Sequence, residues 1–246
     1  MERKENMDTS KIKYIVFDVF GTCVDWHGTI LKAGIKLSEK YDLEVDWSSL
    51  AREWRIDGYF KAVFETAAGK REYVPCDEVF MGFLKETLMP KYHMEAVSEE
   101  DVRDFCNVWH RLQPWEDVLD GLHRLTTKYA IGPFTNGDFD LMIDLKKNSA
   151  LPWDFITTAD IFKRYKPDLE IYKDEIKLLH AKPEEIVMVA AHPFDMDNAK
   201  VVGYTTIYVP RPDEFGADSD YVEPDGKNPV DYVCKDFGEL ATLLNV

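Results

Sequence analysis

Tyr14-Ile15-Val16-Phe17-Asp18-Val19-Phe20-Gly21-Thr22 opens with apolar and aromatic residues of high β-propensity and reads as a strand buried on both faces, ending at Asp18 and turning at Gly21. A carboxylate in that place stands where open α/β sheets bind ligands. A lone aspartate after a strand also suits a simple turn or helix cap. Three later segments decide between the two readings.

Around this strand, the chain alternates short apolar strands with helical patterns from Trp115 onward. A helix over 116–127 precedes Tyr129-Ala130-Ile131-Gly132-Pro133-Phe134, and a helix over 139–147 precedes Phe155-Ile156-Thr157-Thr158. Lys166-Pro167-Asp168 opens another helix, with Pro167 expected just inside its start. Ile186-Val187-Met188-Val189 and Thr205-Thr206-Ile207-Tyr208-Val209 continue the series, and an amphipathic helix closes it at Val246. The stretch 211–229, rich in Asp, Gly and Pro, reads as a long surface loop. Between the first strand and Trp115 the pattern is helical, with Asp46 as an N-cap and Ser98 with Asp101 as a capping box. The fold class is therefore α/β: a doubly wound Rossmann-like core with a parallel sheet over 1–26 and 116–246, interrupted by a helical cap over 27–115. A cap there can lie over the strand ends and add residues to the site.

The 246 residues, 45% of them hydrophobic, can bury a sizeable core. Forty-six acidic against thirty basic residues leave a net charge of -16, which repels nucleic acid and anionic membrane surfaces. A small anionic substrate would need its own cluster of cations. Cys23, Cys76, Cys106 and Cys234 are scattered, without CxxC or zinc spacing, and read as reduced thiols of a cytoplasmic protein. The charged first eleven residues lack the apolar stretch of a signal peptide, and no run reaches membrane-spanning length.

Four strand ends or helix starts gather polar groups: Asp18 with Thr22; Thr135-Asn136-Gly137; Lys166; and Ala190-Ala191-His192-Pro193-Phe194-Asp195. Asp18 is a candidate nucleophile, Lys166 a cation that keeps it ionised, and Asp195 a second carboxylate. In this order the motifs resemble the haloacid dehalogenase superfamily over essentially the whole chain. Asp18-Val19-Phe20-Gly21-Thr22, Tyr165-Lys166-Pro167-Asp168 with Tyr172, Phe194-Asp195, and the pair Trp54-Arg55 are similar to its type II, L-2-haloacid dehalogenase branch. The resemblance implies catalytic roles for Asp18, Lys166, Asp195, Arg55 and Asn136, and substrate contacts for Phe20, Thr22, Thr135, Tyr172, His192 and Phe194. It also implies a 2-halocarboxylate substrate, no metal or other cofactor, and a homodimer.

Phosphatases of the superfamily carry a second aspartate two residues after the nucleophile, as general acid, and further late carboxylates for Mg²⁺. Here those places hold Phe20 and Ala190-Ala191. An alkoxide would leave unprotonated and Mg²⁺ would lack its oxygen cage, whereas a halide leaves as a stable anion. The expected reaction has two steps. Asp18 attacks C2 while Arg55 and Asn136 receive the halide; water, oriented or deprotonated by Asp195 with His192, then hydrolyses the aspartyl ester. Backbone N–H groups after Asp18, with Thr22 and Thr135, would hold a carboxylate. The branch commonly carries Ser-Ser-Asn where this chain has Ala190, Ala191 and His192, so water activation departs from the pattern. A Mg²⁺-dependent phosphatase or phosphonatase-like hydrolase and an idle binding protein of the same fold are the competing readings.

Overall fold

The computed structural model describes residues 7–222 and 226–246. β1 (Tyr14–Phe17) buries Ile15, Val16 and Phe17 completely. It has no solvated face to alternate with, which is why its sequence is a continuous apolar run. β2 (Val24–Asp25) pairs antiparallel with β3 (Gln113–Pro114), and this two-stranded neck brackets the helical insert. Within the insert lie α1 (Trp26–Tyr41), α2 (Trp47–Glu53), a π-helical stretch (Trp54–Phe60), α3 (Lys61–Ala67), α4 (Cys76–Phe83), a second π-helical stretch (Leu84–Leu88), α5 (Met89–Lys91), α6 (Glu99–Cys106) and a 3₁₀ turn (Asn107–Arg111). After β3 come α7 (Val118–Leu125), β4 (Ala130–Thr135), α8 (Phe139–Asn148), β5 (Thr157–Thr158), α9 (Ala159–Phe162) and α10 (Leu169–Leu178). A short 3₁₀ turn (Pro183–Glu185) leads into β6 (Ile186–Ala190), α11 (Pro193–Val202), β7 (Thr205–Tyr208), β8 (Tyr232–Val233) and α12 (Phe237–Leu243).

The six-stranded sheet has the order β5-β4-β1-β6-β7-β8, and every adjacent pair is parallel. Phe17 lies opposite Pro133 on one side and Val189 on the other. That register brings the residues just past β1, β4 and β6 to one edge of the sheet. Asp18, Asn136 and the Ala191-His192 turn therefore share the C-terminal edge, where such sheets bind ligands. No helix among the described residues is long and apolar enough to cross a membrane.

Several local expectations change in detail. Pro167 stands before the helix, not inside it: the cap is Asp168, whose carboxylate accepts the Glu170 N–H, and the Lys166–Pro167 bond is cis. Phe155 and Ile156 fall outside β5 because the preceding Asp154 takes the ladder's place: its carboxylate accepts the Ile131 N–H at 2.9 Å and its N–H donates to the Ile131 carbonyl. Asp46 caps α2 as expected. Ser98 caps α6, but only half the capping box forms, since the Ser98 N–H donates to Tyr41 Oη while the Asp101 carboxylate takes Lys40 and the Ser98 and Tyr41 hydroxyls. The loop over 211–229, partly outside the described residues, is not wholly a surface feature. Glu214 within it is buried, and Arg211 anchors it by donating from Nε to the Thr22 carbonyl and forming a bidentate pair with Asp117.

Candidate active site

Asp18 follows the last residue of β1, and its own N–H donates to the Val189 carbonyl of β6, so the carboxylate is aimed by the sheet ladder itself. Oδ2 accepts from the Thr22 hydroxyl at 2.8 Å and faces His192 Nδ1 at 2.8 Å. Oδ1 faces Lys166 Nζ at 3.2 Å. The same ammonium donates to Asp195 Oδ2, and Asp195 Oδ1 accepts from the Tyr172 hydroxyl. One buried cation thus bridges two buried carboxylates.

Burial opposes ionisation of Asp18, but Lys166, His192 and Arg55 together outweigh it and hold the carboxyl well below the usual carboxylate range. Asp195 moves the other way. Its burial, reinforced by the charge on Asp18, raises it despite Lys166. For Lys166, burial favours the neutral amine, yet the two carboxylates prevail and the ammonium form is reinforced. The two aspartates are pushed apart by environment, one a permanent anion and the other able to take a proton.

The insert supplies the opposite wall. Its π-helical stretch buries Trp54, Arg55, Gly58, Tyr59 and Phe60 together, and Arg55, Tyr59 and Phe60 face Asp18, Lys166 and His192 across a cavity also lined by Val63, Asn136, Phe194 and Asp195. The Arg55 guanidinium lies among rings, its Cζ 4.3 Å from the Phe60 centroid, 4.7 Å from Tyr59 and 5.6 Å from Phe20. Nη2 donates to the Phe20 carbonyl at 3.1 Å. Nε and Nη1 are buried and have no hydrogen-bond partner among the described residues.

The structure gathers Asp18, Arg55, Asn136, Lys166, His192, Phe194 and Asp195 around one cavity. Phe20, Thr22, Thr135 and Tyr172, expected as substrate contacts, stand behind its wall instead. Phe20 is packed edge-on against Tyr59, Phe80 and Trp109, beneath Arg55. Thr22 braces Asp18 and accepts the Ala191 N–H, while the Thr135 hydroxyl accepts the Gly137 N–H and shapes its own turn. Tyr172 is fully buried and pins Asp195. Asn136 brackets the Lys166 backbone, accepting its N–H and donating to its carbonyl.

Glu214 is the residue that sequence reasoning missed. Its Oε1 accepts from Trp26 Nε1 at 2.9 Å, lies 3.1 Å from His192 Nε2, and stands 3.8 Å from Arg55 Nη2. Composition marked its loop as solvated, and the only signal was Phe215, an apolar residue beside it in a polar stretch. Gly21 makes room for this carboxylate: at φ +87°, a β-carbon added there would stand 2.1 Å from Glu214 Oε1. The glycine is required both by the turn and by its neighbour.

A family model described as haloacid dehalogenase-like hydrolase matches residues 12–203. Haloacetate dehalogenase H-2 of Moraxella sp. (strain B) is 24% identical over 227 residues, covering 87% of this chain and 94% of that protein. The (S)-2-haloacid dehalogenase of Xanthobacter autotrophicus is 28% identical over 205 residues, covering 81% and 76%. Among solved structures, the defluorinating L-2-haloacid dehalogenase Rha0230 superposes with a TM-score of 0.88 at 30% identity over 96% of each chain. An ionised strand-end aspartate, a lysine between two carboxylates and a match over most of the core lead to the same conclusion: the chain belongs to the haloacid dehalogenase-like hydrolases.

Proposed function

We propose that the protein hydrolyses short 2-haloalkanoic acids, with inversion, through an ester on Asp18. The observation that carries this reading is Arg55. Two buried guanidinium nitrogens without partners among the described residues cost stability, on the order of 1–3 kcal/mol each, unless an anion arrives to take them. The aromatic rings around them exclude water and suit a large, weakly hydrated anion better than a phosphate. Named relatives that act on haloacetate and (S)-2-haloacids support the same substrate class.

In the proposed first step, Asp18 Oδ1 attacks C2 and the halide departs with the bonding pair toward Arg55 and Asn136. Oδ2 is held by both Thr22 and His192, whereas Oδ1, among the described residues, meets only Lys166, at 3.2 Å, and is the nucleophilic edge. In the second step water adds to Cγ. Asp195, raised by burial, takes one water proton, and Lys166 supplies a proton to Oδ1 as it leaves in the product hydroxyl. Lys166 recovers that proton from Asp195. The cavity has a volume of about 10 Å³, room for about one water, so a substrate needs its walls to part.

The residues do not suit Mg²⁺. Lys166 Nζ occupies the space between Asp18 and Asp195, and Ala190 and Ala191 offer no carboxylate.

The test is halide release from both enantiomers of 2-chloropropionate and from chloroacetate and fluoroacetate, with and without EDTA. The (S)-acid should react, EDTA should change nothing, and Asp18→Asn should abolish release. Single turnover in heavy-oxygen water should label Asp18. Better turnover of phosphate esters, lost on chelation, would overturn the proposal.

A further inference from the structure

Beside the Asp18–Lys166–Asp195 line, a second buried line of charge runs from Asp18 through His192 to Glu214. Both ring nitrogens of His192 face carboxylate oxygens, Asp18 Oδ2 at 2.8 Å and Glu214 Oε1 at 3.1 Å. A neutral imidazole has one donor and would present a lone pair to one of the two; the imidazolium donates to both. The ring is 2% exposed, so bulk solvent does not relieve that mismatch. Glu214 is itself 2% exposed and fixed by the Trp26 indole N–H, so it cannot turn away.

Charge balance agrees. Asp18, Asp195 and Glu214 are buried together with Lys166, Arg55 and His192; with Asp195 ionised, the form in which it can act as a base, the three anions are matched when His192 carries a proton. Among the described residues, His192 faces Asp18 from the end of β1, Glu214 from the 211–216 loop, and the Phe60 and Phe194 rings, with Arg55 and Lys166 one contact further, on Glu214 and Asp18.

We propose that Glu214 is a positioning residue that holds His192 as an imidazolium, and that the His192 Nδ1–H with the Thr22 hydroxyl forms the oxyanion hole for hydrolysis of the Asp18 ester. It rests on the ester reading above. Once Oδ1 has been alkylated, Oδ2 is the ester carbonyl oxygen. Water adds to Cγ, the carbonyl π pair moves onto Oδ2, and the two donors already 2.8 Å away receive that charge. When the tetrahedral carbon collapses, the pair returns, the Cγ–Oδ1 bond breaks and Oδ1 leaves in the product alcohol. One water proton has travelled through Asp195 and Lys166 to that oxygen; the other is lost to solvent as the Asp18 carboxylate reforms. His192 changes neither its charge nor its bonds, so it serves as a fixed electrostatic donor while Asp195 is the base. A charged donor in this place needs a buried carboxylate to keep it charged.

Rapid-quench turnover of (S)-2-chloropropionate by the full chain separates the steps. In wild type, halide release in the first turnover reports alkylation, and intact-mass detection of the Asp18 ester reports its hydrolysis. Glu214→Gln keeps the shape beside Gly21 but removes the charge. Its ester should accumulate and its hydrolysis slow by about 10-fold or more, against a change of less than about 3-fold in the halide burst. Hydrolysis by this variant should also fall as pH rises through the ordinary imidazole range, near 6.5, while wild type stays level there. His192→Asn, a neutral donor of similar reach, should accumulate ester with no such pH dependence. Equal slowing of burst and hydrolysis without accumulated ester, or pH profiles that do not differ between Glu214→Gln and His192→Asn, would overturn the proposal. Wild type that releases halide without any ester on Asp18, or releases none, refutes the underlying ester reading instead and is told apart by the wild-type arm alone.

Discussion

Asn136 grips Lys166 by its backbone at both ends: Oδ1 accepts the Lys166 N–H at 2.7 Å and Nδ2 donates to the Lys166 carbonyl at 2.9 Å. The lysine's reach to Asp18 and Asp195 is thus set from β4's end, across the sheet edge. Asn136→Asp would set a carboxylate oxygen against that carbonyl and add an anion beside Asp18 and Asp195. We expect a loss of about 1–3 kcal/mol in stability and of most turnover, with Asn136→Ala milder in stability. Thermal melts with halide assays check this. An Asp variant that melts with wild type would show the bracket to be idle.

Tyr172 acts on Asp195 in the same indirect way. Its hydroxyl donates to Oδ1 and stabilises the ionised form, against burial and the nearby Asp18 charge. Tyr172→Phe keeps the ring packed on Phe134 and Tyr204. Asp195 should then hold its proton to higher pH, and if it is the base, the acid limb of the kcat profile should move upward. A limb that stays fixed or moves down would remove Asp195 from that role.

How much of this was legible in the chain depends on what each contact rests on. Asp18, Lys166 and Asp195 follow apolar strands or open helices, so the α/β rhythm places them at one edge before any coordinate is known. Glu214 owes its place to a loop whose composition signals solvent, and to Gly21, far away in the sequence, whose missing side chain leaves the space. Phe20 and Tyr172 were visible as site residues but not as supports, because which wall a side chain faces depends on how the insert packs: Phe20 turns into the cluster of Tyr59, Phe80 and Trp109. The full strand expected over 155–158 shortened because one aspartate side chain occupies a ladder position.

His110 joins the insert to the core. Nε2 meets Asp77 of α4 at 2.9 Å and Nδ1 meets Asp144 of α8 at 2.8 Å. Burial disfavours its charge, but the two carboxylates prevail and raise it to about 9. Since the folded value lies above the unfolded one, near 6.5, its stabilisation is complete below about 6.5 and lost as pH rises through about 9. Both aspartates are substantially exposed, so solvent screening leaves about 1 kcal/mol, or about 2–4 °C in a chain of this size. His110→Gln should melt below wild type at pH 6, with the gap closing by pH 10. A gap that is constant or widens with pH would show that the bridge is not charged.

Glu175 on α10 is fully buried, and its proton can be inferred by counting donors. Thr157 has one hydroxyl hydrogen for two acceptors, the Pro133 carbonyl at 2.6 Å and Glu175 Oε1 at 2.8 Å. Tyr204 likewise has one for the Tyr172 carbonyl at 3.0 Å and Glu175 Oε2 at 3.2 Å. Four contacts share those two hydrogens, and a protonated Glu175 supplies one of the two that are missing. Consistently, burial raises it to about 8, despite hydrogen bonds from Thr157 and Tyr204. With the folded value above the unfolded one of about 4.5, the folded state retains a proton that the unfolded chain releases between those values, so wild-type stability falls as pH rises from about 4.5 to 8 and then levels. Glu175→Gln keeps the shape and a donor without the titration. Relative to wild type it should gain stability steadily across that window and hold the gain at pH 9, read by denaturant midpoints at pH 5, 7 and 9. A difference between the two proteins that does not change with pH would mean that Glu175 is ionised in the folded chain throughout.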